Sequence, residues 1–207
     1  MELQLINLAV ARGGVAVLDG VTLALSAGQA MVLRGANGIG KTTLLRAVAG
    51  LQPVLRGQIV VPEEGVAYGS HADGVKATLT VAENMRFWAR VYGTGDIGDA
   101  LRAMDLTSLA DRRAGEVSAG QKRRLGLARL LVTGRKVWLL DEPTVALDTA
   151  SVALFGAVVR AHLAAGGVAL MATHIDLNLP EARDMDLTQY RARPNADRSD
   201  DFAADFT

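Results

Sequence analysis

At 207 residues the chain is about 1.4 times a usual domain in length, so one domain with an appended subdomain or tail is expected. Half of it is hydrophobic and 21% is charged, which supplies a core and excludes a wholly disordered polypeptide. Its 22 basic and 22 acidic side chains leave no net charge to attract polyanions, and the absence of cysteine removes disulfides, zinc fingers, iron–sulfur clusters and CxxCH haem attachment.

Leu3, Leu5, Leu8 and Val10, then Val15, Val17, Val21, Leu23 and Leu25, give short apolar alternations broken by Gly13, Gly14 and Gly20. This pattern predicts antiparallel strands. Glu2 near the start, with no basic region ahead of an apolar one, does not read as a signal peptide. Ala30 to Arg34 is a compact apolar strand leading through a glycine-rich turn into a helix over Lys41 to Gly50, about three turns long, with Leu44, Leu45 and Val48 on one face. From about Thr78 to Thr133, Val81, Met85, Trp88 and Ala89, then Leu101, Met104, Leu106 and Leu109, predict a helical insert.

Beyond the insert, Val137 to Leu140 and Val168 to Ala172 are fully apolar strands, separated by a helix over Thr149 to Ala165 that Gly166 and Gly167 close. Apolar strands alternating with helices imply a parallel sheet covered on both faces. The best candidate for a membrane span, Leu163 to Thr173, is too short and contains two glycines. Residues 191–207 form a polar tail, with Asp197, Asp200, Asp201 and Asp205 offering little to bury.

Gly35-Ala36-Asn37-Gly38-Ile39-Gly40-Lys41-Thr42 satisfies GxxxxGK[ST] between a predicted strand and a predicted helix. Its glycines let backbone amides turn inward as an anion site, to which the helix adds its positive end. Lys41 is placed to reach the β- and γ-phosphates of a nucleoside triphosphate, and Thr42 to help hold magnesium. The bland alternative, a tight turn with Lys41 solvated, puts a cation against the positive end of a helix with no anion to justify it.

Asp141-Glu142-Pro143 follows the apolar strand at the edge where doubly wound sheets present ligands. Because side chains alternate along a strand, the two carboxylates can take separate tasks. Asp141 is the expected magnesium partner and Glu142 the expected general base for an attacking water. A hydrated turn would be the better reading of this tripeptide without the phosphate loop.

Val117-Ser118-Ala119-Gly120-Gln121 opens a helix bearing Leu125, Leu127, Leu130 and Leu131. Ser118 with Gln121 three residues later forms a capping box, which by itself accounts for both residues. Yet this element lies 20 residues before Asp141, and His174 lies 33 residues after it. In that order and spacing, the chain resembles an ABC-transporter ATPase subunit over roughly residues 1 to 190.

The family's signature loop is usually LSGGQ, read here as VSAGQ with the serine, second glycine and glutamine intact. The resemblance implies one P-loop cassette over 1–190, with a mainly parallel sheet, N-terminal antiparallel strands and a helical subdomain at about 78–133. It further implies ATP and Mg2+, with Gly35 to Thr42 and the following Thr43 at the nucleotide. Two copies would meet head to tail, so that Ser118, Gly120 and Gln121 of one close on the γ-phosphate held by the other. Val145 to Asp148 matches the D-loop between the two sites. His174 matches the switch histidine that hydrogen-bonds the γ-phosphate or the water; a core histidine at a strand end is its bland alternative.

Two positions depart from the family pattern. Where most cassettes carry a glutamine, counting back from Leu79-Thr80-Val81 gives His71, which either contacts the attacking water or is an exposed loop histidine. Where many stack adenine on an aromatic residue, Arg12 precedes Gly13, and it either stacks on the base or is a solvated turn arginine.

Gly74 to Trp88 is similar to the GIK-x-x-LTxxENLxF stretch of the cytochrome c maturation haem-exporter ATPases, although it also reads as the start of a helical subdomain. That resemblance implies integral membrane partners of the cytochrome c maturation system and a peripheral place on the cytoplasmic face of the bacterial inner membrane. With two of the three histidines, His71 and His174, read at the nucleotide and no cysteine to act as an axial ligand, no direct haem binding is expected. The neutral net charge and single cassette argue against nucleic acid. A soluble ABC ATPase acting on nucleic acid or ribosomes, the ATPase of another ABC transporter, and a clamp that binds ATP with little turnover are the competing expectations.

Overall fold

The computed structural model describes residues 2–70 and 72–193. Strand β1 (Leu3–Arg12) turns at Gly13 and Gly14 into β2 (Val15–Leu25), and the two pair antiparallel. Gly20 does not break β2 as its residue type suggested; the strand runs through it, and the pairing shifts register nearby. Next come β3 (Ala30–Arg34), α1 (Lys41–Val48) and β4 (Arg56–Val60), which completes a three-stranded sheet of order β2-β1-β4. The first helix spans eight residues rather than the three turns expected. Ala49 caps it and Gly50 follows at φ 70°, a left-handed stop available without strain to glycine.

The second sheet is parallel, in the order β5 (Val66–Gly69), β6 (Val137–Asp141), β7 (Val168–Ala172), β3, β8 (Ala182–Asp186). Between β5 and β6 lie the helices α2 (Val81–Val91), α3 (Gly98–Ala103) and α4 (Ala119–Ala128). The helix α5 (Thr149–Ala164) crosses from β6 to β7. Strands β4, β5 and β8 were not foreseen. Their sequences RGQIV, VAYG and ARDMD are short, polar or glycine-bearing, and β4, β5 and β8 each lie at a sheet edge, where one side needs no apolar cover.

The period-two geometry of a strand explains why β6 and β7 are apolar at every position. Val137, Leu139, Val168, Leu170 and Ala172 face one core, shared with the antiparallel sheet and with Leu44, Leu45 and Val48 of α1. Trp138, Leu140, Ala169 and Met171 face the other, shared with Met85, Leu125, Leu127 and Phe155 of α2, α4 and α5. Truncating a fully buried aromatic such as Phe155 to alanine costs about 3–5 kcal/mol. The sheet is thereby clamped from both sides, and the C-terminal ends of β3, β6 and β7 are fixed beside one another.

Candidate active site

The chain leaves β3 at Arg34 and must reverse into α1 within six residues. Gly35, Gly38 and Gly40 adopt φ of 135°, 82° and 118°, values that L side chains rarely take. At Gly40 space is also short, because an added Cβ would lie 3.0 Å from the Leu18 side chain. The result exposes Ala36, Asn37 and Gly38 while α1 begins without any side-chain cap, so its first amides remain open to an anion. Lys41 is buried, and its Nζ donates to the carbonyls of Gly35 at 2.7 Å and Ala36 at 3.4 Å. Loop carbonyls therefore neutralise part of the conflict between this cation and the helix dipole, a partner that the sequence reading did not include.

Asp141 ends β6, hydrogen-bonded through the parallel ladder beside Ala172, and is only 3% exposed. Its Oδ1 accepts from Thr42 Oγ1 at 3.0 Å and its Oδ2 from the Tyr68 hydroxyl at 3.1 Å. Both partners are neutral. A buried carboxylate with no ion-pair partner among the described residues, set against a hydroxyl, is the hard oxygen chemistry that suits Mg2+ completed by phosphate and water. Burial, and next the Asp141 carboxylate, push the Tyr68 phenol well above its ordinary value, so it stays a donor.

Glu142 lies just beyond the end of β6, so strand alternation does not set its direction. Its backbone has φ 48°, uncommon outside glycine, and its amide donates to Ala172 O at 2.8 Å. Its Oε1 lies 3.5 Å from Nε2 of His174, an exposed residue just past β7. A cavity of about 250 Å³ collects Arg12, Asn37, Gly38, Gly40, Lys41, Thr42, Thr43, Asp141 and Glu142. On the other side of the loop, Ala36 to Ile39 face Val15 to Val17 and Arg191 to Arg193 across a space of about 650 Å³. A triphosphate-sized anion, a divalent cation and a carboxylate base can thus occupy one place.

The ABC transporter family profile matches residues 18–145. The chain belongs to the ABC transporter family. It is 66% identical to the cytochrome c biogenesis ATP-binding export protein CcmA of Cereibacter sphaeroides, across 95% of this chain and 93% of that protein. To the protein of the same name from Rhodobacter capsulatus it is 65% identical, across 91% and 88%. A solved Pyrococcus furiosus structure, described as an ABC transporter ATP-binding protein, superposes with a TM-score of 0.83 at 26% identity, covering 93% of this chain and all of that one.

Within this ABC cassette the signature residues stand apart from the phosphate loop: Ser118, Gly120 and Gln121 do not line its cavity. Ser118 Oγ accepts from the Gln121 amide at 3.2 Å and Gln121 Oε1 accepts from the Ser118 amide at 2.9 Å, so the local capping box is formed. Gly120 faces the turn over Val145 to Asp148 of its own chain, an added Cβ there lying 3.5 Å from Ala146 O. Asp148 caps α5 by accepting from the Ser151 amide at 2.8 Å, and the bonds to Ser151 hold its carboxyl below the usual range. Exposed Val145 and Ile175 flank this surface. His71 lies outside the described residues.

Three contributors escaped the sequence reading. Tyr68 sits opposite Leu139 in the β5–β6 register, two residues short of Asp141, and nothing in its short strand singled it out. Arg34 donates to Thr173 O at 2.8 Å and pairs with Asp184 at 3.0 Å, tying the residue before His174 to β3. Arg123 was legible in principle: a charge sharing the helical face of Leu127 and Leu130 must be buried with partners.

Proposed function

We propose that this chain is the ATP-hydrolysing subunit of an ABC membrane complex for cytochrome c biogenesis, powering haem export or release of a haem-loaded chaperone. The observation that carries the hydrolytic reading is the convergence of the open phosphate loop, Asp141 and Glu142 on one cavity. The high identity to proteins named for cytochrome c biogenesis supports the assignment to that system.

In this reading the amides of Gly35 to Thr43 cradle the phosphates, and Lys41 exchanges its loop carbonyls for β- and γ-phosphate oxygens. Thr42 and Asp141 would hold Mg2+, which when bound would supply positive charge against the phosphates. Glu142 takes the proton of the attacking water, while His174, already beside its carboxylate, donates to that water or the γ-phosphate. His71 is a further water contact. Arg12 lies on the rim of the cavity, where its guanidinium plane can stack on the base.

A second copy supplies Ser118, Gly120 and Gln121 from the opposite side, with Asp148 and the exposed Val145 in the seam. Separate integral membrane subunits complete the complex; among the described residues of this chain no helix is long and apolar enough to cross a membrane. The groove beside exposed Phe87 and Val91 on α2 is the surface offered to them. The chain then works as a peripheral subunit at the cytoplasmic face of the bacterial inner membrane, contacting neither haem nor nucleic acid. Lys41→Ala in the host is expected to abolish c-type cytochromes while b-type haem proteins remain normal. Intact c-type cytochromes, measured by haem-stained gels, would reject the cytochrome c assignment.

A further inference from the structure

Arg123 is 3% exposed, yet it lies on α4, only five residues beyond Ser118. It uses four of its five N–H groups on two other segments. Nε donates to Pro143 O at 3.0 Å and Nη2 to Glu142 O at 2.9 Å, both in the turn that carries the base. Nη1 donates to Ser70 O at 2.8 Å and to Asp73 Oδ1 at 2.8 Å, in the segment that follows β5. Close packing supports the same junction. Gly126, one helical turn beyond Arg123, lies so near Asp73 that an added Cβ would be 2.8 Å from Asp73 Cβ and 2.9 Å from its Cα.

The Glu142 backbone explains why this matters. A left-handed glutamate is unfavourable and persists only when its surroundings overdetermine it. Ala172 O holds the amide of Glu142 and Arg123 holds the carbonyl, so both peptide groups flanking that φ are fixed and the carboxylate is aimed at His174. A planar fork suits this junction, since arginine spreads its donors over the two segments whereas the three donors of a lysine radiate from one nitrogen.

We propose that Arg123 is a positioning residue that couples the Ser118 end of α4 to the general base and to the segment around Ser70 and Asp73. The inference rests on the hydrolytic reading above. Closure of a second copy on Ser118 displaces α4 as a rigid element; through Arg123 that displacement is read at Glu142, and the Asp73 contact reports it toward α2.

The test uses the full chain in complex with its membrane subunits, comparing wild type, Arg123→Lys, Asp73→Ala and Glu142→Gln. ATP turnover is expressed per bound ATP, with KM and ATP–Mg2+ affinity measured alongside, so that partial unfolding does not count as lost catalysis. Arg123→Lys is expected to lower kcat by about tenfold to a hundredfold while KM and affinity stay within about twofold. Asp73→Ala, which keeps the three carbonyl bonds, moves kcat in the same direction by less. If Arg123→Lys does not fold, Asp73→Ala decides alone, and unchanged turnover per bound ATP in either folded variant overturns the proposal. Should Glu142→Gln turn over like wild type, the hydrolytic reading itself fails and the coupling with it. If Glu142→Gln is inactive while the other two are normal, only the coupling fails.

Discussion

Two helices begin at surfaces suited to phosphate, and they begin differently. The first turn of α1 has Gly40 at its N-cap and no side-chain cap, whereas α4 starts at Ser118 with both halves of a capping box closed. An uncapped N-terminus leaves its amides to be satisfied by something else, and glycines at left-handed φ keep side chains out of the way. A capped terminus is stable by itself and meets a ligand as a finished surface. In the proposed function this contrast suits α1 to binding the triphosphate within its own subunit and α4 to meeting the nucleotide held by a second copy.

The largest effect that bears on this division concerns the base between the two helices. Glu142→Gln is expected to reduce phosphate release by about a hundredfold or more while ATP–Mg2+ affinity is retained. A variant that still hydrolyses at the wild-type rate would remove Glu142 from the reaction. Replacing Ser118 by aspartate sharpens the comparison, since aspartate caps a helix as well as serine does but brings a negative charge. Ser118→Asp should therefore leave the melting temperature and ATP binding unchanged, and lower hydrolysis by about a hundredfold because the partner's γ-phosphate is repelled. Normal hydrolysis in this variant would reduce Ser118 to a local cap.

The smallest effect lies in the scaffold that both helices share. His162 on α5 stacks on buried Trp138 of β6 with ring centroids 3.8 Å apart, and its Nε2 lies 3.1 Å from Lys136 O. Burial lowers its pKa from the ordinary 6.5, only partly offset by hydrogen bonds to Val168 and Lys136. The unfolded chain therefore binds the proton more readily than the folded one. The contribution is fully present above the unfolded value and is lost as pH falls from about 6.5 toward the folded one. Denaturant midpoints at about pH 7.5 and about pH 5.5 should show an acid-side loss that is shallower in His162→Gln. Equal slopes would remove His162 as its source.

Much of this was legible in the sequence because the deciding residues follow local rules. Apolar strands at Ala30 to Arg34, Val137 to Leu140 and Val168 to Ala172 are buried on both faces and carry no competing period. The phosphate loop is a contiguous backbone device, so its eight residues suffice to specify it. What was not legible depends on pairing over long separations. Tyr68 reaches Asp141 only because β5 docks beside β6, and Arg123 reaches Glu142 only because α4 packs under the same strand end. Edge strands β4 and β8 carry too little apolar pattern to announce themselves, since their ladders are formed by backbone groups that every residue has. Lys41 shows the limit of the dipole argument: an anion is one way to satisfy a buried cation, and Gly35 O with Ala36 O is another.

The central claim is that the loop from Gly35 to Thr43 cradles a triphosphate. Equilibrium titration of the folded chain with labelled ATP and Mg2+ tests it most directly, with Lys41→Ala measured beside it. Saturable binding of one nucleotide per chain, severely weakened in Lys41→Ala, is the expected result. Absence of saturable binding, or equal affinity in the two proteins, would contradict the account.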